Sequence, residues 1–309
     1  YPGALTTDGH FLFVANVKGL GSRQPGEGGQ GWNSRRYLGT VSKIKIPTAP
    51  ELQEYTRQAK TDARVPQILR AWERSDSRKK PVPVPRRLGE PSVFEHVVYI
   101  IKENRTYDQV FGDLPQGNAD PALCVFGREV TPNHHAVAEQ FALLDNYYCN
   151  GVLSADGHAW ATEGYVTDYL EKSFGGFTRS YPFAGDDPLS YSATGFIWDN
   201  LLLHGLSFRN YGEMSTTAVL PKEADWLAIY ENHRTNGNAM AFQHDMQIET
   251  LRRYSCAQSP GWNMRIPDCI RADVFLNEFS EYEKKGEWPN LVIIYLPNDH
   301  TSGTRVGSP

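Results

Sequence analysis

Three short stretches of this chain combine side chains that could hold a cation or attack an electrophile. Glu103 and Asn104 follow directly on an apolar run, residues 97–101. In open α/β sheets ligands bind beyond the carboxyl ends of strands, so an acid and an amide there would be presented as hard oxygen donors for a divalent cation. Ser154 precedes a helix predicted over residues 157–172. A helix start offers unpaired N–H groups and a favourable dipole to an anion, which makes Ser154 a candidate nucleophile whose attack builds charge beside ready donors. Asp299 and His300 follow a second apolar run, residues 290–296, in the same way. Each stretch also has a plainer reading. Glu103 and Asn104 could cap a helix, Ser154 or Asp156 could be an N-cap, and an Asp-His pair in a loop is commonplace. Ser154 is not in a Gly-x-Ser-x-Gly elbow, since Val152 and Asp156 occupy the flanking positions.

The elements that must position these residues alternate. Residues 97–101 read as a strand buried on both faces. Helical spacing follows at 134–144, 157–172 and 195–203, then a strand at 206–211, a helix at 272–283 and the strand at 290–296. Such alternation argues for an α/β layered domain over residues 93–309. Residues 1–46 read instead as β structure. Thr7-Asp8-Gly9-His10 is a turn signal, residues 11–16 are aromatic and β-branched, and residues 39–46 alternate with period two. A short helix over residues 50–59 falls in this first segment, residues 1–74, and a Pro-, Lys- and Arg-rich stretch at 75–92 reads as an extended, solvated linker. His134 and His135 stand at a helix start, where capping suits them, although one could face the site. His96 beside a core strand reads as structural. Tyr211-Gly212-Glu213, after a strand, could line a pocket.

The string Glu103-Asn104-Arg105-Thr106-Tyr107-Asp108, together with Leu153-Ser154-Ala155-Asp156-Gly157-His158, resembles the phosphoesterase family of bacterial acid phosphatases and phospholipases C, within the alkaline-phosphatase-like superfamily. The likeness is strongest over residues 95–172 and returns at 290–304. It implies an α/β, alkaline-phosphatase-like layered sandwich that hydrolyses phosphate esters with a divalent metal ion. Glu103, Asn104, Asp299 and His300 would be its metal or phosphate contacts, Ser154 the nucleophile that takes the phosphoryl group, and His158 a neighbour of the bound phosphate. Relatives carry a further acidic cluster downstream of the Asp-His segment, so the resemblance implies a C-terminally incomplete sandwich whose metal shell is not all present in this chain. Asp8 to Asn16, followed by Lys18-Gly19-Leu20-Gly21, resembles the last repeat of a YVTN-type β-propeller. One repeat cannot bury its own sheet face, so this segment would be a small all-β remnant.

Composition limits the alternatives. The 309 residues are 40% hydrophobic, 22% charged and 12% aromatic, with a formal net charge of −5, the profile of a globular protein and not of a general nucleic-acid binder. No stretch approaches the ~18 apolar residues of a membrane span. Cys124, Cys149, Cys256 and Cys269 form no CxxC pair, which speaks against a zinc knuckle. Cys256 and Cys269 flank a Pro/Gly-rich loop and suit one or two disulfides as well as four free thiols. Cysteine usage and the resemblance together imply a periplasmic or secreted protein. Two rivals remain at this point: a catalytically inactive, propeller-linked extracellular binding protein, and a metal-independent serine esterase pairing Ser154 with a histidine.

Overall fold

A computed structural model describes residues 2–16, 39–151, 153–173 and 184–300. The Lys18 to Gly21 part of the propeller resemblance, Val152 and Thr301 lie outside the described residues. The chain divides into two compact units, Tyr1–Val93 and Phe94–Pro309.

In the first unit, strands β1 (Pro2–Thr7), β2 (Phe11–Asn16) and β3 (Thr40–Lys45) form an antiparallel sheet in chain order. The turn between β1 and β2 is set by chemistry visible in the sequence. Asp8 Oδ1 accepts from the amides of His10 (2.8 Å) and Phe11 (2.7 Å), and Gly9 takes φ 88°. Helix α1 (Ala49–Asp62) starts at Thr48, whose amide and hydroxyl both donate to Glu51, and α2 (Val65–Ala71) follows. Among the described residues the β structure of this unit is one three-stranded sheet and no propeller. The stretch at 75–92 is not a free linker. Leu88 N donates to Ala71 O at 2.9 Å, Arg87 pairs with Glu73 at 3.0 Å and Lys79 with Glu90 at 2.5 Å, so the basic residues hold the segment against α2 and against itself.

The second unit is mixed α/β. Strands β4 (Val97–Lys102), β5 (Phe208–Tyr211) and β8 (Leu291–Leu296) make a parallel sheet in the order β4-β8-β5, while β6 (Thr216–Leu220) and β7 (Ala241–Asp245) pair antiparallel. Around them lie α3 (Tyr107–Phe111), α4 (Pro132–Gln140), α5 (Ser154–Glu163), α6 (Asp168–Ser173), α7 (Ile197–Leu203), α8 (Trp226–Arg234), α9 (Glu249–Arg253) and α10 (Asp268–Lys285). None of the described helices is long and apolar enough to cross a membrane.

Strand alternation sorts the core. Leu291 and Ile293 of β8 face a cluster with Phe196, Trp198, Phe208, Met214 and Leu251. Val292 and Ile294 face the other way, packing with Tyr211, Cys256 and with Val274 and Phe275 of α10. β8 is therefore the strand buried on both faces. β4 is not, although its sequence is equally apolar. Val97, Val98 and Ile100 are 51%, 44% and 51% exposed, and among the described residues β4 pairs with β8 alone. An apolar run reports a preference for burial, and the sheet order decides whether neighbours supply it.

One further expectation is corrected, and one open alternative is decided. The helix expected from Gly157 starts three residues earlier, at Ser154, and breaks at Gly164, which adopts φ 65° as a left-handed cap before α6 begins. All four cysteines are free thiols, with Cys256 buried and Cys269 exposed, so no disulfide closes the loop between them.

Candidate active site at the carboxyl ends of the parallel strands

Because β4, β5 and β8 are parallel, their carboxyl ends lie at one edge, and each delivers chemistry there. β4 leads into Glu103 and Asn104, β5 into Gly212 and Glu213, and β8 into a short 3-10 turn, Pro297–His300, that carries Asp299 and His300. Ile101 stands opposite Tyr295 in the register. Glu103, two residues beyond Ile101, falls on the same face, and the Tyr295 hydroxyl donates to its Oε1.

Ser154 reaches this carboxylate from α5. The capping alternatives resolve in favour of Asp156, whose Oδ1 accepts from the Leu153 amide at 2.7 Å. Ser154 is the first residue of the helix, and its hydroxyl is among the groups that favour the charged form of Glu103. One turn on, His158 sits on the same helix face. Its Nδ1 lies 2.7 Å from Glu213 Oε1 and its Nε2 lies 3.7 Å from Glu103 Oε1.

Glu103, His158 and Glu213 are 7%, 5% and 0% exposed, so charge and burial contend here. Burial alone would drive His158 to its neutral form. The two flanking carboxylates, Glu213 before Glu103, outweigh it and push the imidazole up to about 10. For Glu103 burial also favours the neutral form, and His158, Tyr295 and Ser154 together hold it below the usual carboxylate range. The site thus sets the His158 ring between two carboxylates, Glu213 at 2.7 Å and Glu103 at 3.7 Å, the farther of which the Ser154 hydroxyl helps to keep charged. Glu103 Oε2 and Glu213 Oε2 are buried without a hydrogen-bond partner.

Asp299 and His300 form an adjoining group. Asp299 Oδ2 lies 3.3 Å from Lys102 Nζ and 3.8 Å from His134 Nε2, and those partners hold it below the usual range against burial. Arg105 clamps the turn itself, donating to the backbone carbonyls of Asp299 and His300 at 2.7 Å each. The His300 ring packs edge-on against Trp262 at 5.1 Å. Of the two helix-start histidines, His134 faces Asp299. His135 is buried and held by Thr131 O at 2.8 Å and Asp113 at 2.7 Å, a structural role. His96 is likewise structural, bonded to Pro289 O at 3.0 Å.

The six residues singled out in the sequence therefore fall into two groups. Glu103, Ser154 and His158 come together; Asp299 and His300 stand beside Lys102, Arg105 and His134. Asn104, exposed, is adjacent to Glu103. For a divalent cation, Glu103 offers one donor atom, a buried second carboxylate oxygen without a hydrogen-bond partner. Asp299 is engaged with cationic side chains, and no cluster of three or more His, Cys, Asp or Glu side chains able to hold a metal occurs among the described residues. No family model, curated protein or solved structure matches this chain. Sequence reading undervalued two residues. Tyr295 looked like one more apolar strand position, and Glu213 was a pocket-lining candidate whose only signal was its place after a strand.

At the far end of α5, Glu163 accepts from Ser192 N at 2.5 Å, while its other oxygen is buried and unpartnered. Burial first, and nearby Asp199 in addition, push this carboxyl up to about 7 despite the Ser192 amide. With the folded-state value above the unfolded 4.5, the folded protein binds the extra proton, so stability falls as pH rises from about 4.5 to about 7. Glu163→Gln removes that penalty. Thermal melts should show the variant and the parent nearly equal at pH 4.5 and the variant several degrees more stable at pH 7.5. A gap independent of pH would contradict the assignment.

Proposed function

We propose that this chain carries the nucleophile half of a phosphoesterase site, with Ser154 attacking the phosphorus of a phosphate ester. The observation that carries the reading is the placement of Ser154 at the first residue of α5, where its hydroxyl helps to stabilise the charge of the buried Glu103 carboxylate. The α5 amino terminus then offers N–H donors and a positive dipole end to the phosphoryl oxygens as charge builds on them. Glu103 orients the hydroxyl and, with the Asn104 amide, supplies the oxygens proposed to hold a divalent ion. Such an ion, when bound, lowers the pKa of the serine hydroxyl and screens the phosphate. His158, kept protonated by its two carboxylates, acts as a charged donor beside the phosphoryl group. The ester oxygen departs with a proton as the alcohol, and water cleaves the serine phosphate to restore Ser154 and release the phosphate.

Asp299 and His300 complete the proposal as contacts at the neighbouring strand end; Asp299 must exchange Lys102 and His134 to bind a cation. The resemblance of the Glu103 to Asp108 string to the phosphoesterase family supports the substrate class, the alkaline-phosphatase-like form of the α/β unit and an exported location. The propeller-end reading of β1 to β3 rests on the same kind of likeness. Against a serine esterase with a histidine base stands the lack of a Gly-x-Ser-x-Gly elbow around Ser154.

The test is hydrolysis of a chromogenic phosphate ester by this chain and by any longer protein that contains it, before and after chelation. Turnover lost on chelation and restored by added divalent metal is the expected result. Hydrolysis that chelator leaves untouched would sink the metal-dependent reading, and an absence of turnover in both proteins at any metal concentration would sink the activity itself.

A further inference from the structure

Glu213 is built into the protein more rigidly than an ordinary ion-pair partner needs. It is fully buried. The Asn210 side chain grips its backbone from both sides, accepting from Glu213 N at 3.2 Å and donating to Glu213 O at 3.1 Å, and donates further to Ser255 Oγ at 2.9 Å. The residue before it, Gly212, takes φ 91°, and a Cβ there would sit 2.4 Å from the Pro260 carbonyl oxygen, so only glycine fits. The residue after it, Met214, is held at φ 51°, a left-handed conformation that costs a side-chain-bearing residue energy. The elbow therefore aims one carboxylate, and that carboxylate's first oxygen meets His158 Nδ1 at 2.7 Å while its second is buried without a partner. A buried carboxylate left half-satisfied on a strained elbow lowers stability. Such features concentrate at functional sites.

We propose that Glu213 is the positioning residue of the Ser154 site: by binding Nδ1 it fixes the His158 ring so that Nε2 faces Glu103, the buried carboxylate proposed above to orient Ser154. This rests on the reading of Ser154 as the nucleophile. An imidazole has two ring nitrogens, and the bond made by one determines where the other points and what it carries. With Nδ1 tied to Glu213, Nε2 is turned toward Glu103, 3.7 Å from its Oε1, and is left to donate toward the proposed phosphoryl position. Glu213 itself touches neither Ser154 nor the substrate.

Two measurements on the full chain test this. In histidine-15N-labelled protein, a slowly exchanging, low-field His158 Nδ1–H resonance, assigned by its loss in His158→Gln, should persist in Ser154→Ala and disappear in Glu213→Ala. In steady-state hydrolysis of a chromogenic phosphate ester, Glu213→Ala should lower kcat about 10–100-fold with KM within about twofold. Glu213→Gln, which keeps the size and an acceptor oxygen, should recover part of that loss and carries the test if Glu213→Ala does not fold. Unchanged kcat in a folded Glu213 variant, or no such resonance in the parent protein, overturns the inference. So does a kcat loss from Glu213→Ala that is equally large in a His158→Gln background. A parent protein that shows the resonance but hydrolyses no phosphate ester instead refutes the reading of Ser154, leaving the Glu213–His158 bond in place.

Discussion

Ser154→Ala is expected to lower phosphate-ester turnover by at least about a thousandfold while leaving metal and phosphate binding nearly intact. Alanine removes the attacking oxygen but leaves the α5 amides, Glu103 and His158 where they are. The substitution is also mild for the fold. Ser154 is the first residue of α5 and the capping bond comes from Asp156, so little helix stability depends on the hydroxyl. Glu103→Ala should behave differently. It takes away the proposed cation's buried oxygen donor, so excess metal should restore part of the rate, whereas no metal concentration should rescue Ser154→Ala. Trapping a phosphorylated serine in the parent and titrating metal into both variants reads the two effects separately. Near-normal turnover in Ser154→Ala would move the nucleophile elsewhere. The next hydroxyl in line is Thr106, which starts α3, its amide bonded to Gln109 at 3.1 Å.

The largest loss of stability is expected from Arg271→Met, at about 3–5 kcal/mol. Arg271 is 1% exposed and lies on α10. Its guanidinium donates to the carbonyls of Pro260 (3.3 Å), Gly261 (2.6 Å), Asn263 (3.1 Å) and Ile266 (2.5 Å), and to Asp268 at 3.1 Å. Burial pulls this guanidinium below its usual range and Asp268 draws it back up, so the charge is retained only because its partners surround it. Methionine keeps much of the volume but leaves the Pro260 and Gly261 carbonyls without their donor, while Asn263 O keeps the Ile266 amide at 3.1 Å and Ile266 O keeps Asn298 Nδ2 at 3.2 Å. The same loop backs the site. Pro260 O is the atom that closes on Gly212, and Trp262 is the ring against His300. Arg271→Met should therefore also cost turnover, by releasing the Glu213 elbow and the Asp299 turn. Urea unfolding of parent and variant, followed by tryptophan fluorescence, measures the stability term. A loss under about 1 kcal/mol would mean that water or a shifted loop satisfies these carbonyls.

The two effects have different origins in the chain. Ser154 stood out in the sequence as a hydroxyl ahead of a helical stretch, where an N-cap and a nucleophile were both open readings. Arg271 carried no signal, since an arginine within an amphipathic helix reads as a solvated surface residue until the loop folded over it is known. What the sequence by itself determined are local matters: the Asp8-Gly9 turn, the period-two strands of the first unit, the apolar runs that became β4 and β8, and the presentation of Glu103 and Asp299 just past those runs. These follow from preferences of neighbouring residues, and neighbours are all that a sequence displays. Even there, the α5 start was read three residues late, because Asp156 caps the helix from inside its first turn and Ser154 looked like the cap. Only the tertiary structure decided which apolar strand is central. Among the described residues β8 has a partner on each side and β4 on one, a difference in pairing that leaves no trace in composition. The parallel order β4-β8-β5 also decided the site, by laying three strand ends side by side and so bringing Glu103, Ser154, His158 and Glu213 within reach of one another across up to 110 residues of chain, 213 − 103. A charge set of that kind exists only once burial has removed the water that would otherwise screen it, and burial is a property of the packed sheet and helices together.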